Sequence, residues 1–388
     1  MIRYPDTAKN KDLIKIKKFA WILSGGIEVP GSRIHGINIH SALLDYGIRS
    51  EIIRMPKGFR EKLQQFEISR LLTKIEELKS DIVVFQKVNG SNAVKLCKIL
   101  NKLGVYTVFI ACDSVDERMA RQCDLTFAVS SYLKNLFNRK NRKKIRVLQD
   151  PIEVPKMYRN REIVIPKKGR LKGVYLSSQF PDKVISALLA VCQDFLDVSI
   201  ISSPPDKCEH TGRSSIAPKI RVLGLLKEHR SRIFFRVYNK ILCYLKSKKE
   251  IRDLDLSRKL EFQFIEWELD SVYQNISKHH IGLLPIYMDS TFKRSKSANR
   301  MATLMALGLA TIASPLPSYL ENAIHGKTIL FAHNPSEWRR WVQKLDRDRD
   351  FALALALEGR KHAWEQFSRE SILSNFLKEV TCGIKAKS

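Results

Sequence analysis

Short runs of consecutive apolar residues alternate along the chain with longer stretches in which apolar positions recur every three or four residues. "KKFAWILSGG" predicts a buried strand ending in a glycine turn. "GSRIHGINIHSALLDYG" predicts a helix carrying Ile34, Ile37, Leu43 and Leu44 and stopped at Gly47. "RSEIIRM" reads as a second strand, and "EKLQQFEISRLLTKIEELKS" as a helix with Leu63, Phe66, Leu71, Ile75 and Leu78 at near-helical spacing. "DIVVFQK" (strand), "SNAVKLCKILNKLG" (helix) and "VYTVFIACD" (strand) repeat the rhythm, as do "DLTFAVS", "SYLKNLF" and "KKIRVLQDP". Strands that alternate with helices imply a parallel sheet with right-handed crossovers, and the first such domain is expected to close near Asp150.

The pattern restarts beyond "DPIEVP" with a strand in "LKGVYLS", a helix in "DKVISALLAVCQDF" and a strand in "DVSIISSPP". A charged stretch from Lys207 to Lys259 interrupts it. "LEFQFIEW", the helix "LDSVYQNISKHH", the strand "IGLLPIYM" and the late strand "TILFAH" restore it, and "SEWRRWVQKL" and "DFALALALEGRKHAWEQFSRESILSNFLKEV" predict terminal helices. The whole is an α/β chain of two units. Its 388 residues agree, since one core seldom serves more than roughly 250–300.

Composition adds a sign to this picture. Lys and Arg number 68 against 40 Asp and Glu, a formal charge of +28 that favours an anionic partner: nucleic acid, a lipid surface or a phosphorylated ligand. The seven cysteines show neither CxxC pairs nor a disulfide framework and read as reduced thiols of a cytoplasmic protein. The polar start "MIRYPDTAKNKDLIKIKK" lacks a secretory core, and no apolar run reaches the roughly 20 residues that span a bilayer.

The charge is placed most tellingly in "KRSKSANRMATLMALGLATIASP", Lys293 to Pro315. The strand "IGLLPIYMD" leaves a sheet at its carboxyl edge, and a helix is expected from about Ala298 to Leu307. Lys293, Arg294, Lys296 and Arg300 stand near the helix start, whose unpaired N–H groups also attract phosphate. A solvated helix start would explain the same charges.

"DSTFKRSKSANRMATLMALGLATIASPLPSYLE" resembles the donor-nucleotide segment of group 1 (family 4-like) glycosyltransferases with the GT-B fold. Other stretches agree in order: "SGG" before "GSRIHGINIHSALLDYGIRS", "FIACD", "CDLTFAVSSYLKNLF", "VLQDPIEVP", "IGLLPI" and "EGRKHAWEQFSRESI". The resemblance implies two Rossmann-like parallel-sheet domains facing a central cleft. Residues 1–152 would form the acceptor side and 153–357 the nucleotide-sugar domain with a basic insertion around 204–259. A helix in 358–388 would return to the first domain. Many members carry two glutamates eight positions apart where this chain has Ser295 and Thr303; a threonine can still hydrogen-bond a ribose hydroxyl, without a carboxylate's charge-assisted strength.

On this resemblance the chain is expected to transfer a sugar from a nucleotide-sugar donor to a glycan or lipid-linked acceptor in cell-surface polysaccharide synthesis. No metal and no other cofactor is expected. Lys296 and Arg300 would stabilise the departing diphosphate. Gly25, Gly26, Arg294, Ser295, Ser297, Asn299 and Thr303 would line the donor side, and Arg33 and His35 the acceptor side. Should the reaction invert the anomeric centre, Asp113 at a strand's carboxyl edge is the candidate base, with His35 and His40 as alternatives; a retaining reaction needs none. A GT-B-like subunit without catalysis, or a polyanion-binding protein, are the competing readings.

Residues 136–172 hold 13 Lys or Arg against 3 acids, and residues 207–260 hold 15 against 5. In the second stretch Phe234, Val237, Tyr238, Ile241, Leu242 and Leu245 share one helical face, with Arg232, Arg236 and Lys240 on another. Such a helix suits either packing on its own domain or the interface of an anionic membrane, which would make the protein peripheral on the inner face. No aromatic-interleaved RNA motif, zinc finger or recognition helix supports nucleic acid as the partner.

Overall fold

The computed structural model describes residues 17–204 and 254–387. The amphipathic helix expected around 232–245, and most of the basic insertion, lie outside the described residues.

The chain divides into two compact units. The first comprises Met1–Glu153, Ser295–Ala302 and Ala363–Ser388, and the second Val154–Arg294 and Thr303–His362. The sheet of the first contains β1 (Phe19–Leu23), β2 (Ser50–Arg54), β3 (Ile82–Gln86), β4 (Tyr106–Ala111), β5 (Leu125–Ala128) and β6 (Ile145–Val147) in the spatial order 2-1-3-4-5-6. Every pairing is parallel. β1, β3, β4 and β5 are buried along their whole length, as a parallel sheet covered on both faces requires, which is why they read as unbroken apolar runs.

One face of that sheet, with Ile22, Val83, Phe85 and Phe109, packs against the helices Gln65–Glu77 and Ser91–Lys102 through Ile68, Leu71, Ile75, Leu96 and Leu100. The other face, with Phe19, Trp21, Val84 and Phe127, meets the helices Asn38–Asp45 and Arg369–Lys387. Phe376 of the last helix seats its ring 5.4 Å from that of Phe127 and 6.0 Å from that of Trp21, within the range of favourable aromatic pairs. The helix expected from about Glu61 starts instead at Gln65, where Gln64 and Glu67 form a capping box. Phe66 is consequently exposed, and Leu63 is buried ahead of the helix rather than on its face.

The sheet of the second unit contains β7 (Leu171–Leu176), β8 (Leu196–Ser202), β9 (Gln263–Glu266), β10 (Ile281–Leu284), β11 (Ala310–Ala313) and β12 (Leu330–Phe331), ordered 12-11-10-7-8-9 and also wholly parallel. The helix Asn299–Ala306 ends at Gly308, whose φ of +81° is the left-handed turn that glycine adopts most readily, and the chain then enters β11.

Both orders contain a reversal, at β1/β3 in the first sheet and β7/β10 in the second. In open parallel sheets the carboxyl ends beside such a reversal leave a crevice, because the connections diverge to opposite faces.

Candidate functional site

The reversal of the first sheet carries a buried polar network. Ser24, directly after β1, donates from its hydroxyl to Gln86 Oε1 at 3.0 Å, and Ser32 of the first helix donates to the same oxygen at 3.1 Å. Gln86 Nε2 faces Cys112 Sγ at 3.5 Å across the end of β4. A fully buried glutamine at the end of "IVVFQ" therefore ties together β1, β3, β4 and the first helix, with each polar group partnered as burial demands.

The next residue, Lys87, has φ +58°, an uncommon conformation for a residue with a Cβ. The turn carries its side chain back over the strand ends, where Nζ lies 3.0 Å from Asp113 Oδ1, 3.7 Å from Glu61 Oε1 and 4.8 Å from the centre of the Phe59 ring. The contact to Oδ1 is an ion pair off the direction of a well-formed hydrogen bond. The other carboxylate oxygen of Asp113 accepts a hydrogen bond from Lys296 Nζ at 3.2 Å. Asp113, on the loop after β4, is thus shared by two ammonium groups.

The charges settle unequally. Burial alone would raise the Asp113 carboxyl, but Lys87 and Lys296 hold it below the usual aspartate value. Burial would lower the Lys87 amine, yet Asp113, Cys112 and Glu61 carry it above its ordinary value. Lys296 goes the other way: burial, with the repulsion of Lys87 and Arg300, outweighs Asp113 and leaves its amine below its ordinary value.

Arg300 therefore belongs to this cluster as the cation that acts on Lys296. Asn299, which opens the helix Asn299–Ala306, adds a buried Nδ2 that makes no hydrogen bond. Of the other residues proposed for the donor side, Ser297 is half-buried, Ser295 and Thr303 are buried, and half-buried Arg294 directs Nε to the carbonyl of Met288 at 3.5 Å. Lys293 pairs with Asp289 at 3.0 Å and lies over the Tyr287 ring.

Gly25 and Gly26 sit at the end of β1, but the room they leave is taken by the chain itself. A Cβ on Gly25 would meet Val29 Cγ2 at 2.5 Å, and one on Gly26 would meet the Glu28 carboxylate at 2.4 Å. That carboxylate accepts from the Gly58 N–H at 2.8 Å, fastening two loops.

Arg33 and His35 are interior residues. They stand in a π-helical turn, Arg33–Ile37, that continues the first helix. Arg33 pairs bidentately with Glu153, Nε to Oε1 at 2.8 Å and Nη2 to Oε2 at 3.2 Å, and donates from Nη1 to the Ile27 carbonyl. His35 Nε2 lies 3.4 Å from Asp150 Oδ1, and both Asp150 oxygens are buried without a hydrogen bond. Burial opposes the charged imidazole, but Asp150 and Cys112 outweigh it and lift His35 to about 9, so this ring is an imidazolium at neutral pH. His40 faces the Ser50 hydroxyl at 2.8 Å and is lowered by burial; it stands apart from the cluster.

In the second unit the carboxyl ends of β10, β11 and β12 border a shallow crevice lined by Ile286, Tyr287, Ser314, Pro315, His333 and Trp338. Asn334 caps the helix Pro335–Arg347 beside it by accepting from the Glu337 N–H at 2.9 Å.

The chain has structural counterparts among solved proteins. A glycosyltransferase from Rickettsia africae superposes with a TM-score of 0.60 at 14% identity, over 96% of this chain and 100% of the other. Sucrose-phosphate synthase from Thermosynechococcus elongatus gives 0.59 at 12%, over 96% and 100%. Anabaena HepE in complex with UDP gives 0.58 at 12%, over 94% and 100%. The chain has the GT-B fold. No protein-family model and no curated protein matches it. Among the described residues no helix is long and apolar enough to cross a membrane.

Proposed function

We propose that this chain is a glycosyltransferase that moves a sugar from a nucleotide-sugar donor to a glycan or lipid-linked acceptor. The observation that carries the reading is the cluster of Lys296, Arg300 and Lys87 around Asp113 at the strand reversal of the first unit. Its fold is shared with HepE and with an α-glucosyltransferase, each seen in complex with UDP-glucose.

Glycosyl transfer develops positive charge at the anomeric carbon while a nucleoside diphosphate departs with negative charge. Fixed cations in a partly desolvated site stabilise that leaving group, and they do so most where their own charge is under-compensated. Burial, with the repulsion of Lys87 and Arg300, lowers the Lys296 amine although a carboxylate lies 3.2 Å away, so an added anion steadies its charge. Lys296 and Arg300 therefore take the diphosphate, with Asn299 Nδ2 as a further donor, and the reaction proceeds without a metal. Asp113, flanked by two ammonium groups, is a weak proton acceptor as long as both remain.

We further propose work at an anionic membrane face, supported by the basic segment from Arg139 to Arg146, most of whose cations point outward. A nucleotide-binding protein without transfer is the second reading, favoured by Ser295 and Thr303, buried hydroxyls that offer no carboxylate to the donor.

Calorimetric titration with UDP, GDP, ADP and CMP tests the donor site: one nucleotide should bind, and Lys296→Met should reduce its affinity at least tenfold. Binding that survives both Lys296→Met and Arg300→Met removes these residues from the site. Release of sugar from a nucleotide-sugar panel separates an enzyme from a binding protein.

A further inference from the structure

Asp113 is held by two lysines that differ in how firmly they are themselves placed. Lys87 is anchored three ways. Its backbone N–H donates to the Ile110 carbonyl at 3.0 Å, its ammonium faces both Asp113 and Glu61, and it rests over Phe59, with the side chain only 17% exposed. The left-handed backbone of Lys87 costs free energy that an ordinary loop residue would not spend, so the surrounding contacts hold it there against its own preference. Lys296 is 37% exposed, lies beside the like charge of Arg300, and meets Asp113 through Oδ2. One carboxylate therefore has a fixed cation on Oδ1 and a more accessible one on Oδ2.

We infer that Lys87 is a positioning residue: it keeps Asp113 in place as a resident counter-ion for Lys296, and a nucleoside diphosphate binds by exchanging that carboxylate for its own phosphate on Lys296. The inference rests on the reading of Lys296 as a diphosphate ligand and adds what occupies that ligand beforehand. Before a nucleotide binds, Asp113 offsets the charge of Lys296 in a partly buried setting. When the diphosphate arrives, Asp113 keeps Lys87 as its partner and is not itself left as an unpaired buried carboxylate, which would be costly. Losing one of its two cations also makes Asp113 a better proton acceptor, so the carboxylate gains basicity only once the leaving group is seated.

The exchange sets directions that a purely structural role would not. If Asp113 competes for Lys296, removing its charge frees the amine for phosphate. Asp113→Asn should bind the nucleoside diphosphate at least threefold more tightly than the wild type. Lys87→Met leaves Lys296 as the cation on Asp113, strengthens that pairing and should weaken nucleotide binding at least threefold, and Lys87→Arg should restore it. The double variant Asp113→Asn/Lys87→Met decides the matter, because with no carboxylate to compete the Lys87→Met loss should disappear. A general loss of positive charge, or damage to the fold, would persist in the Asn background.

Isothermal titration of the wild type and these four variants with the nucleotide that binds best, together with inorganic pyrophosphate, reads all of this. Tighter binding by Asp113→Asn with a vanished Lys87→Met effect in the double variant supports the exchange. Equal or weaker binding by Asp113→Asn, or an undiminished Lys87→Met loss in the double variant, overturns it while leaving the diphosphate site standing. Failure of every nucleotide and of pyrophosphate to bind the wild type removes that site, and the exchange with it.

Discussion

His35 lends the first unit a pH signature that can be worked from the structure. Its imidazole is buried within ion-pair distance of Asp150, with Cys112 as a second stabilising neighbour and Lys87 opposing, and the nearby Arg33–Glu153 pair closes the surroundings. The ring holds its proton up to about 9, against 6.5 in an unfolded chain. The native state thus binds this proton more tightly than the unfolded state. The stability it provides is complete below pH 6.5 and is lost as pH rises through about 9. At roughly 1.4 kcal/mol per pH unit of displacement, the full loss is about 3 kcal/mol. His40, His279 and His280 do not mimic it. Burial lowers all three, His280 to about 4, so their effect is complete above pH 6.5 and is lost on acidification instead. The Cys192 thiol, raised to about 12 by burial, begins to matter only above pH 9, where thiols of the unfolded chain ionise. Between pH 6.5 and 9, then, the unfolding free energy of the first unit should fall by about 3 kcal/mol in the wild type and stay nearly flat in His35→Gln. Ring proton and carbon shifts give a direct view: an imidazole signal still in its protonated position at pH 8 in the wild type should be missing from His35→Gln. A wild-type spectrum at pH 8 without a protonated imidazole refutes the reasoning.

Three further perturbations test the packing. Phe376→Ala removes the ring that fills the space between Phe19, Trp21 and Phe127, so it should cost about 3–5 kcal/mol and expose residues 369–387 to hydrogen exchange before the sheet opens. Glu153→Gln leaves the Arg33 guanidinium buried against a neutral partner and should cost about 3–5 kcal/mol in chemical unfolding, whereas the paired change Arg33→Met/Glu153→Leu should cost clearly less. Gly308→Ala forces a Cβ to within 2.7 Å of Ile163 Cδ1 at φ +81°; a melting temperature lowered by at least about 1 kcal/mol equivalent is expected, and Ile163→Ala in the same chain should recover only the steric part.

The fold was largely legible because a doubly covered parallel sheet leaves a coarse signature: the apolar runs around Phe19, Ile82, Tyr106 and Ile281 could hardly be placed other than as buried strands. Element starts were less so. The helix boundary at Gln65 is set by the capping box of Gln64 and Glu67, and apolar spacing drew Leu63 and Phe66 into a face that the capped helix does not have. In the site, Asp113 was visible as an acid just beyond a strand and Lys296 as a cation near a helix start. That they meet was not, because 183 residues separate them. Gln86 had a signal, a single polar residue closing an apolar strand. Lys87 had none, since nothing in "FQKVNG" announces a left-handed lysine, and Arg33 and His35, expected on the acceptor side, gave no sign of their interior pairing because Glu153 and Asp150 stand more than a hundred residues away.

Pooling the charges of the cluster explains why the cations alone understate what the site selects. Lys87 and Lys296 share one carboxylate at nearly equal distance, 3.0 and 3.2 Å, yet one amine rises and the other falls. Distance to Asp113 cannot be the cause. Burial works against both charges; Lys87 is carried past it by Asp113, Cys112 and Glu61, whereas at Lys296 the repulsion of Lys87 and Arg300 adds to burial and the amine falls. An anion added there relieves two like-charge repulsions at once, and the relief grows with the charge it brings, because repulsion between partly buried groups is weakly screened. The ordering that follows is diphosphate over monophosphate over nucleoside, steeper at low ionic strength than at high. A site that recognised mainly the base would instead bind nucleoside and diphosphate with similar affinity and show little response to salt.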